Sequence, residues 1–213
     1  MATSDAAVCN IALKRMGVAL IVNLQDGSDQ ASVLNAVYEN TRDRLLRELE
    51  WNFAQFRVSL APDPTKTPVF GYNYAYPLPT LPYCLKVNET DPADAIYDIE
   101  NTIDATGKIT GRVLVTDEGS LSIRYTGQVT DPQQWDASFV EALASDLAAQ
   151  TAYTLTESEA KAKDMAQWAE RALQRAQTVN SQEGSTRQAD INALVDVRLH
   201  GVRDAFDRNN NVI

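Results

Sequence analysis

Six of the chain's eight prolines fall between residues 62 and 82, at Pro62, Pro64, Pro68, Pro77, Pro79 and Pro82. A proline ring fixes φ, removes a backbone donor and clashes with the preceding helical turn, so no long helix can cross this stretch. Helical patterning lies on both sides of it. The chain must therefore bring two helical segments together around an intervening region of strands and turns. Its 213 residues suffice for one sizeable core, or for one core carrying a modest insertion.

Upstream of the prolines, Ser4 or Asp5 caps a first predicted helix. Its apolar residues are Ala6, Ala7, Val8, Ile11, Ala12 and Leu13, and Gly17 closes it. Residues 18–24 read as a short apolar connector, with a turn at Asp26-Gly27. A second helix is expected from Ser28 or Asp29 to about Glu50, with Val33, Leu34, Val37, Tyr38, Leu45, Leu46 and Leu49 at helical spacing. It runs into Trp51, Phe53 and Phe56, an aromatic cluster of the kind that anchors a core.

From Ser59 the pattern becomes that of strands, expected at 85–87, 95–99, 109–116 and 120–126. In the last, Leu121, Ile123 and Tyr125 face one way and Ser122 and Arg124 the other. Tyr72, Tyr74 and Tyr76 alternate and would share one side of an extended segment. Residues 105–108 and 117–119 have the composition of hairpin turns. Helices resume after Asp131-Pro132, one over 136–155 with Phe139, Leu143, Leu147, Gln150 and Thr154 on a stripe. The next runs from Glu157 or Ser158 to about Ser181, with Ala162, Met165, Ala169, Ala172, Ala176 and Val179 aligned.

The expected class is α+β. Residues 1–57 and 133–184 form a helical bundle from the N- and C-terminal helices, and a small antiparallel β module is inserted at 58–132. An extended C-terminal arm occupies 185–213, carrying Ile191, Leu194, Val195, Val197, Leu199 and Val202. Either the arm packs on something outside its own domain or it is a frayed tail.

Charge restricts function. The net charge is −10, with ten acidic and five basic residues in 61–135. That balance argues against gripping nucleic acid by neutralising phosphates. It is compatible with a wall past which DNA slides, and equally with an ordinary soluble surface. The start of the sequence lacks the basic and apolar stretches of a signal peptide, so the chain is expected to remain in the cytoplasm where it is made. Cys9 and Cys84 lie in apolar surroundings and read as reduced, packed thiols. His200 is the one histidine, which leaves little for a histidine-rich metal site or a Cys/His nucleophile. No cofactor, metal or catalytic residue is expected. Glu89, Asp91, Asp94, Asp98 and Glu100 are dense enough to supply a carboxylate pair, but a solvated polar edge with acidic turn residues is the better explanation of them.

A linear constellation stands out above this background. Cys9-Asn10, Ala12-Leu13 and Gly17 are followed by Tyr38, Arg42-Asp43, Leu45-Leu46-Arg47 and Trp51-Asn52-Phe53-Ala54. Then come Tyr74, Tyr76-Pro77-Leu78-Pro79 and Cys84-Leu85-Lys86-Val87. In order and spacing this resembles the tail tubular protein A family, the head-to-tail adaptors of short-tailed bacteriophages. The resemblance spans residues 8–88, with an echo through Ile123-Arg124-Tyr125, Trp135-Asp136 and Phe139 to about residue 150. Glu50 stands where the family often has proline, and Tyr83 where it has aspartate.

The resemblance implies a non-enzymatic virion protein, a connector ring generally taken as twelve-fold, located at the head-tail junction and assembled in the host cytoplasm. Its implied partners are other copies of itself, the portal protein, and a tail nozzle or other tail component. Double-stranded DNA would pass through without specific binding. The arm is the candidate portal-docking segment, with Arg187, Leu194, Arg198, Leu199, Arg203, Phe206 and Arg208 as its contact residues. Two other functions fit the residues: a tail-associated carbohydrate hydrolase using an acidic pair around 89–100, and an unrelated soluble helical interaction protein.

Overall fold

The computed structural model describes residues 4–66, 68–104 and 106–183. Among them are four helices and two small antiparallel sheets, a mixed α and β architecture. Helix α1 (Asp5–Met16) starts where the Ser4 hydroxyl accepts the Ala7 N–H at 3.2 Å. It stops at Gly17, whose φ of 70° lies in the left-handed region. The Asn10 side chain then makes two 2.9 Å hydrogen bonds to the backbone of Ile21, pinning the connector along the helix. The Asp26 carboxylate accepts from the N–H groups of Val22 and Ser28 and from the Ser28 hydroxyl. Ser28 in turn caps α2 (Asp29–Glu48) through the Ala31 N–H. Residues local to each boundary set all three, two through side-chain caps and one through the backbone freedom of Gly17.

Six strands follow: β1 (Gln55–Leu60), β2 (Tyr74–Pro77), β3 (Cys84–Asp91), β4 (Tyr97–Ile103), β5 (Ile109–Thr116) and β6 (Leu121–Gly127). They form two three-stranded sheets ordered β1-β6-β3 and β2-β5-β4. Register runs from Gln55 opposite Thr126 to Leu60 opposite Leu121 in the first sheet, and from Tyr74 opposite Thr116 in the second. The sheets share one apolar interior. Phe56, Val58 and Leu60 of β1, Val87 of β3, and Leu121, Ile123 and Tyr125 of β6 meet Tyr76, Leu114 and Tyr97 from the other sheet. Central strand β5 is covered on both faces, because Val113 and Val115 pack with Ala75 and Tyr72 on the side away from Leu114.

Two sequence expectations are corrected here. Residues 117–119 do not close a hairpin, because β5 and β6 belong to different sheets and the segment carries the chain from one to the other. Tyr72 does not share a side with Tyr74 and Tyr76. It precedes β2, so the strand's two-residue period does not reach it, and it packs on Ala75 and the two valines while Tyr76 enters the interior between the sheets. Strands β1 and β2 were not among the expected strands. The turn at 104–108 does form, with the Asp104 carboxylate accepting the N–H groups of Thr106 and Lys108 and Gly107 at φ 84°.

Helix α3 (Ala137–Thr156), capped by Asp136, packs against both α1 and α2 and buries Phe139, Leu143, Leu147 and a set of alanines. Small residues allow the backbones to approach closely, and polar contacts fix the register. Arg15 donates to Ser145 at 2.7 Å and to Glu141 at 2.5 Å, Gln150 donates to Thr41 at 3.0 Å, and Arg44 pairs with Asp146. Helix α4 (Glu159–Glu183) buries Ala172 and Ala176. Lys161 donates to the Met16 carbonyl at 2.9 Å, placing a cation at the C-terminus of α1 where the helix dipole favours it.

Helical and strand interiors meet at Phe56, which packs in both. A Cβ added at Gly127 would sit 2.7 Å from the Phe56 ring and 3.0 Å from Pro82 Cβ. Gly127→Ala is therefore expected to destabilise the fold by about 1–3 kcal/mol through overpacking, and Phe139→Ala by about 3–5 kcal/mol through the cavity it leaves. Both are read as shifts in the midpoint of urea unfolding.

Candidate functional site

Of the residues that carry the resemblance, those on α1 and the first half of α2 tie the helices to each other, and those from Arg42 to Phe53 lie at the joint between helices and strands. Cys9 is fully buried on α1. Tyr38 donates its hydroxyl proton to Asp5 at 2.7 Å, tying the middle of α2 to the start of α1. Arg42 is 6% exposed and its Nε donates to Asp43 at 2.8 Å, while the other Asp43 oxygen accepts from Gln128 at 2.6 Å. That chain of contacts fastens α2 to the segment leaving β6. Trp51 is buried against Phe53 and Phe139, with its indole N–H donating to the Leu45 carbonyl at 2.8 Å. Tyr38, Arg42, Asp43 and Trp51 each have a hydrogen-bond partner within the chain, and Cys9 is packed in the apolar core.

The acidic residues of the β region are divided between the two sheets, and only Asp98 and Glu100 line one hollow. Glu89 lies on β3 in one sheet, where Arg124 donates to it at 2.9 Å. Asp98 and Glu100 lie on β4 in the other sheet, and Asp98 accepts the Tyr72 hydroxyl at 2.8 Å. That hydrogen bond, with Asp98, Asp117 and Glu100 close by, pushes the Tyr72 phenol up and holds its proton. Asp91 and Asp94 are exposed. Among the described residues no group of three or more His, Cys, Asp or Glu is arranged to hold a metal ion. Both cysteines are free and buried. Burial, with the nearby Asp5 charge, pushes the Cys9 thiol up to about 12, and burial also raises Cys84 although Arg112 opposes it.

Two surface features escape a sequence reading. The first is a groove between the start of α3 and the C-terminal half of α4, about 270 Å3 in volume, lined by Trp168, Ala172, Ala176 and Val179. Arg171, Arg175, Ser138 and Glu141 form its edges. The second is the pair Val69-Phe70, exposed between Pro68 and Gly71 beside Asp98 and Glu100. The helical spacing of Trp168, Arg171, Ala172, Arg175, Ala176 and Val179 was a usable signal for the groove. The expected portal-docking residues Arg187, Leu194, Arg198, Leu199, Arg203, Phe206 and Arg208 lie outside the described residues.

Compared with models of known protein families and with curated proteins, the chain matches none. No helix among the described residues is long and apolar enough to cross a membrane.

A thiol whose pKa is raised in the fold adds stability that is fully present below its unfolded value, about 8.5, and is lost as pH climbs toward the folded value. For Cys9 that window extends up to about 12. Neither cysteine should react with a disulfide reagent at pH 8 in the native protein, and both should react in urea. Fast reaction of the native protein would contradict the packing described.

Proposed function

We propose that the chain is a structural subunit of a bacteriophage head-to-tail connector, an adaptor ring that joins the portal to the tail and lines the DNA passage. The observation that carries this reading is the ordered constellation from Cys9-Asn10 to Cys84-Leu85-Lys86-Val87, which resembles the tail tubular protein A family across residues 8–88. The positions of those residues lend it support. Asn10 fastens the connector to α1 and Tyr38 fastens α2 to α1, while Arg42, through Asp43, and Trp51 secure the joint between helices and strands, the pattern expected of residues that specify a fold.

In this reading the N- and C-terminal helices form a bundle that makes the ring wall. The inserted β module projects toward tail components, and the arm at 185–213 reaches the portal. The subunit makes and breaks no bond. Its work is shape, contact between copies and a channel whose acidic surface, from a chain of net charge −10, gives DNA phosphates little purchase. A closed ring needs two different patches that fit each other on successive copies. Long-lived contacts of that kind bury roughly 2,000 Å2 or more.

Negative-stain imaging of the purified protein, alone and mixed with portal, tests the reading directly. Rings, or rings formed on the portal, are expected; separate small particles under both conditions would sink it. Removing residues 185–213 should abolish attachment to portal-bearing heads while leaving the helix content and urea midpoint of the remainder unchanged. Undiminished attachment would reject the docking role of the arm.

A further inference from the structure

The groove and the Val69-Phe70 loop are complementary in shape class and in charge. Val69 and Phe70 are 97% and 88% exposed, adjacent in sequence and held between Pro68 and a Gly71 with φ 88°. Single exposed apolar residues are ordinary, but two large ones side by side at a loop tip are the form taken by an anchor that inserts into a partner. The collar of this loop is acidic. Asp98 and Glu100 line the same hollow as Phe70, and Asp117 lies close enough to act on Tyr72. The neighbouring cation, Lys66, is ion-paired with Asp63 at 3.6 Å.

The groove has the opposite character. Its floor is the apolar set Trp168, Ala172, Ala176 and Val179. Of its charged groups, Glu141 is held by Arg15 at 2.5 Å, and the Arg15 guanidinium also lies 5.5 Å over the Trp168 ring. Arg171 and Arg175 make no ion pair among the described residues, which leaves the rim basic on a chain whose net charge is −10. A volume of about 270 Å3 falls just under the ~300–1,000 Å3 of small-molecule sites. It has room for one or two inserted side chains.

We infer that the Val69-Phe70 loop of one copy seats in the α3–α4 groove of the next, with Asp98 and Glu100 facing Arg171 and Arg175. The occupant is a second copy of this chain, because the complement to the basic apolar groove is an acidic apolar loop on the same molecule. The two patches are different, so the contact is heterologous: each copy gives a loop and receives one, and the contact propagates. The inference rests on the ring reading for its closed form and supplies the contact between copies that the reading requires.

The test uses the full chain, with and without portal, followed by sedimentation and negative-stain imaging. V69S/F70S removes the anchor and R171E/R175E reverses the rim; all four side chains are exposed, and circular dichroism and the urea midpoint check that the fold is intact. Each variant alone should weaken association by about thirtyfold or more. An equimolar mixture should give a two-copy species and nothing larger, since only the groove of the first variant and the loop of the second remain functional. Adding E100R to R171E/R175E should restore assembly. Wild-type assemblies unaffected by both variants, or a mixture that stays monomeric, overturn this inference and leave the ring reading standing. A wild-type chain that assembles in neither condition overturns both. Binding of a short DNA duplex that disappears in R171E/R175E, with assembly unchanged, assigns the groove to phosphate and also overturns it.

Discussion

Four aromatic rings at the meeting of helices and strands hold the rest of the molecule in place. Phe139, at the start of α3, contacts Trp51, Trp135 and Phe53 with ring centroids 5.0, 5.1 and 5.3 Å apart, all in edge-on geometry. Such arrangements add to the large apolar area that each ring buries. Trp51 and Phe53 sit where the chain leaves the helices for β1, and Trp135 sits where it returns from β6. Both passages between helix and strand are therefore secured at one place. Each buried indole has a carbonyl for its N–H, six residues upstream, at Leu45 for Trp51 and Val129 for Trp135. Without that acceptor, burying the N–H would cancel part of the gain.

Helix boundaries were legible in the sequence because capping is local. Ser4, Gly17, Ser28 and Asp136 act within a few residues of their own positions, and each helix end fell within a few residues of where its cap placed it. The alternation of β6 was equally plain, and its apolar residues all face the interior. Strand pairing was not legible. That β5 and β6 lie in different sheets depends on contacts between residues far apart in sequence, and the short 117–119 link looks the same whether it folds back or crosses over. Phe56-Arg57-Val58-Ser59-Leu60 alternates as a strand should, yet its proximity to the aromatic cluster hid the pattern. Four-residue β2, which ends on Pro77, was too short to signal itself.

A constellation of residues whose members point inward identifies a fold more securely than a chemistry. Asn10 serves the backbone of Ile21, Arg42 serves Asp43, and Cys9 and Cys84 are protonated fillers of apolar space. The acidic residues that might have been drawn together for catalysis are divided between two sheets, and the best placed of them are engaged by Arg124 and Tyr72. Among the described residues the surface features left over are apolar and charged patches. Such patches suit recognition, where orientation and exclusion of wrong partners come from complementary charge around an apolar centre.

Helix α4 connects this surface to the stability of the whole. Helix α3 buries half of its length, whereas α4 buries only Ala172 and Ala176 among its described residues. An amphipathic helix so lightly covered would be marginal by itself, because helix nucleation is costly and packing normally repays it. Here the two ends are fastened. Lys161 grips the Met16 carbonyl, and Asn180 exchanges hydrogen bonds with Asn52 and the Glu50 carbonyl at 2.9–3.1 Å. The middle is thereby held in position while Trp168, Val179 and two arginines stay open to a partner. A face already ordered by its ends loses little conformational freedom on being covered, so contact made there converts more of its buried area into affinity than a flexible segment would. Helix α4 is thus fastened near both ends and incompletely buried, so a partner covering its open face would bury apolar surface without having to order the helix.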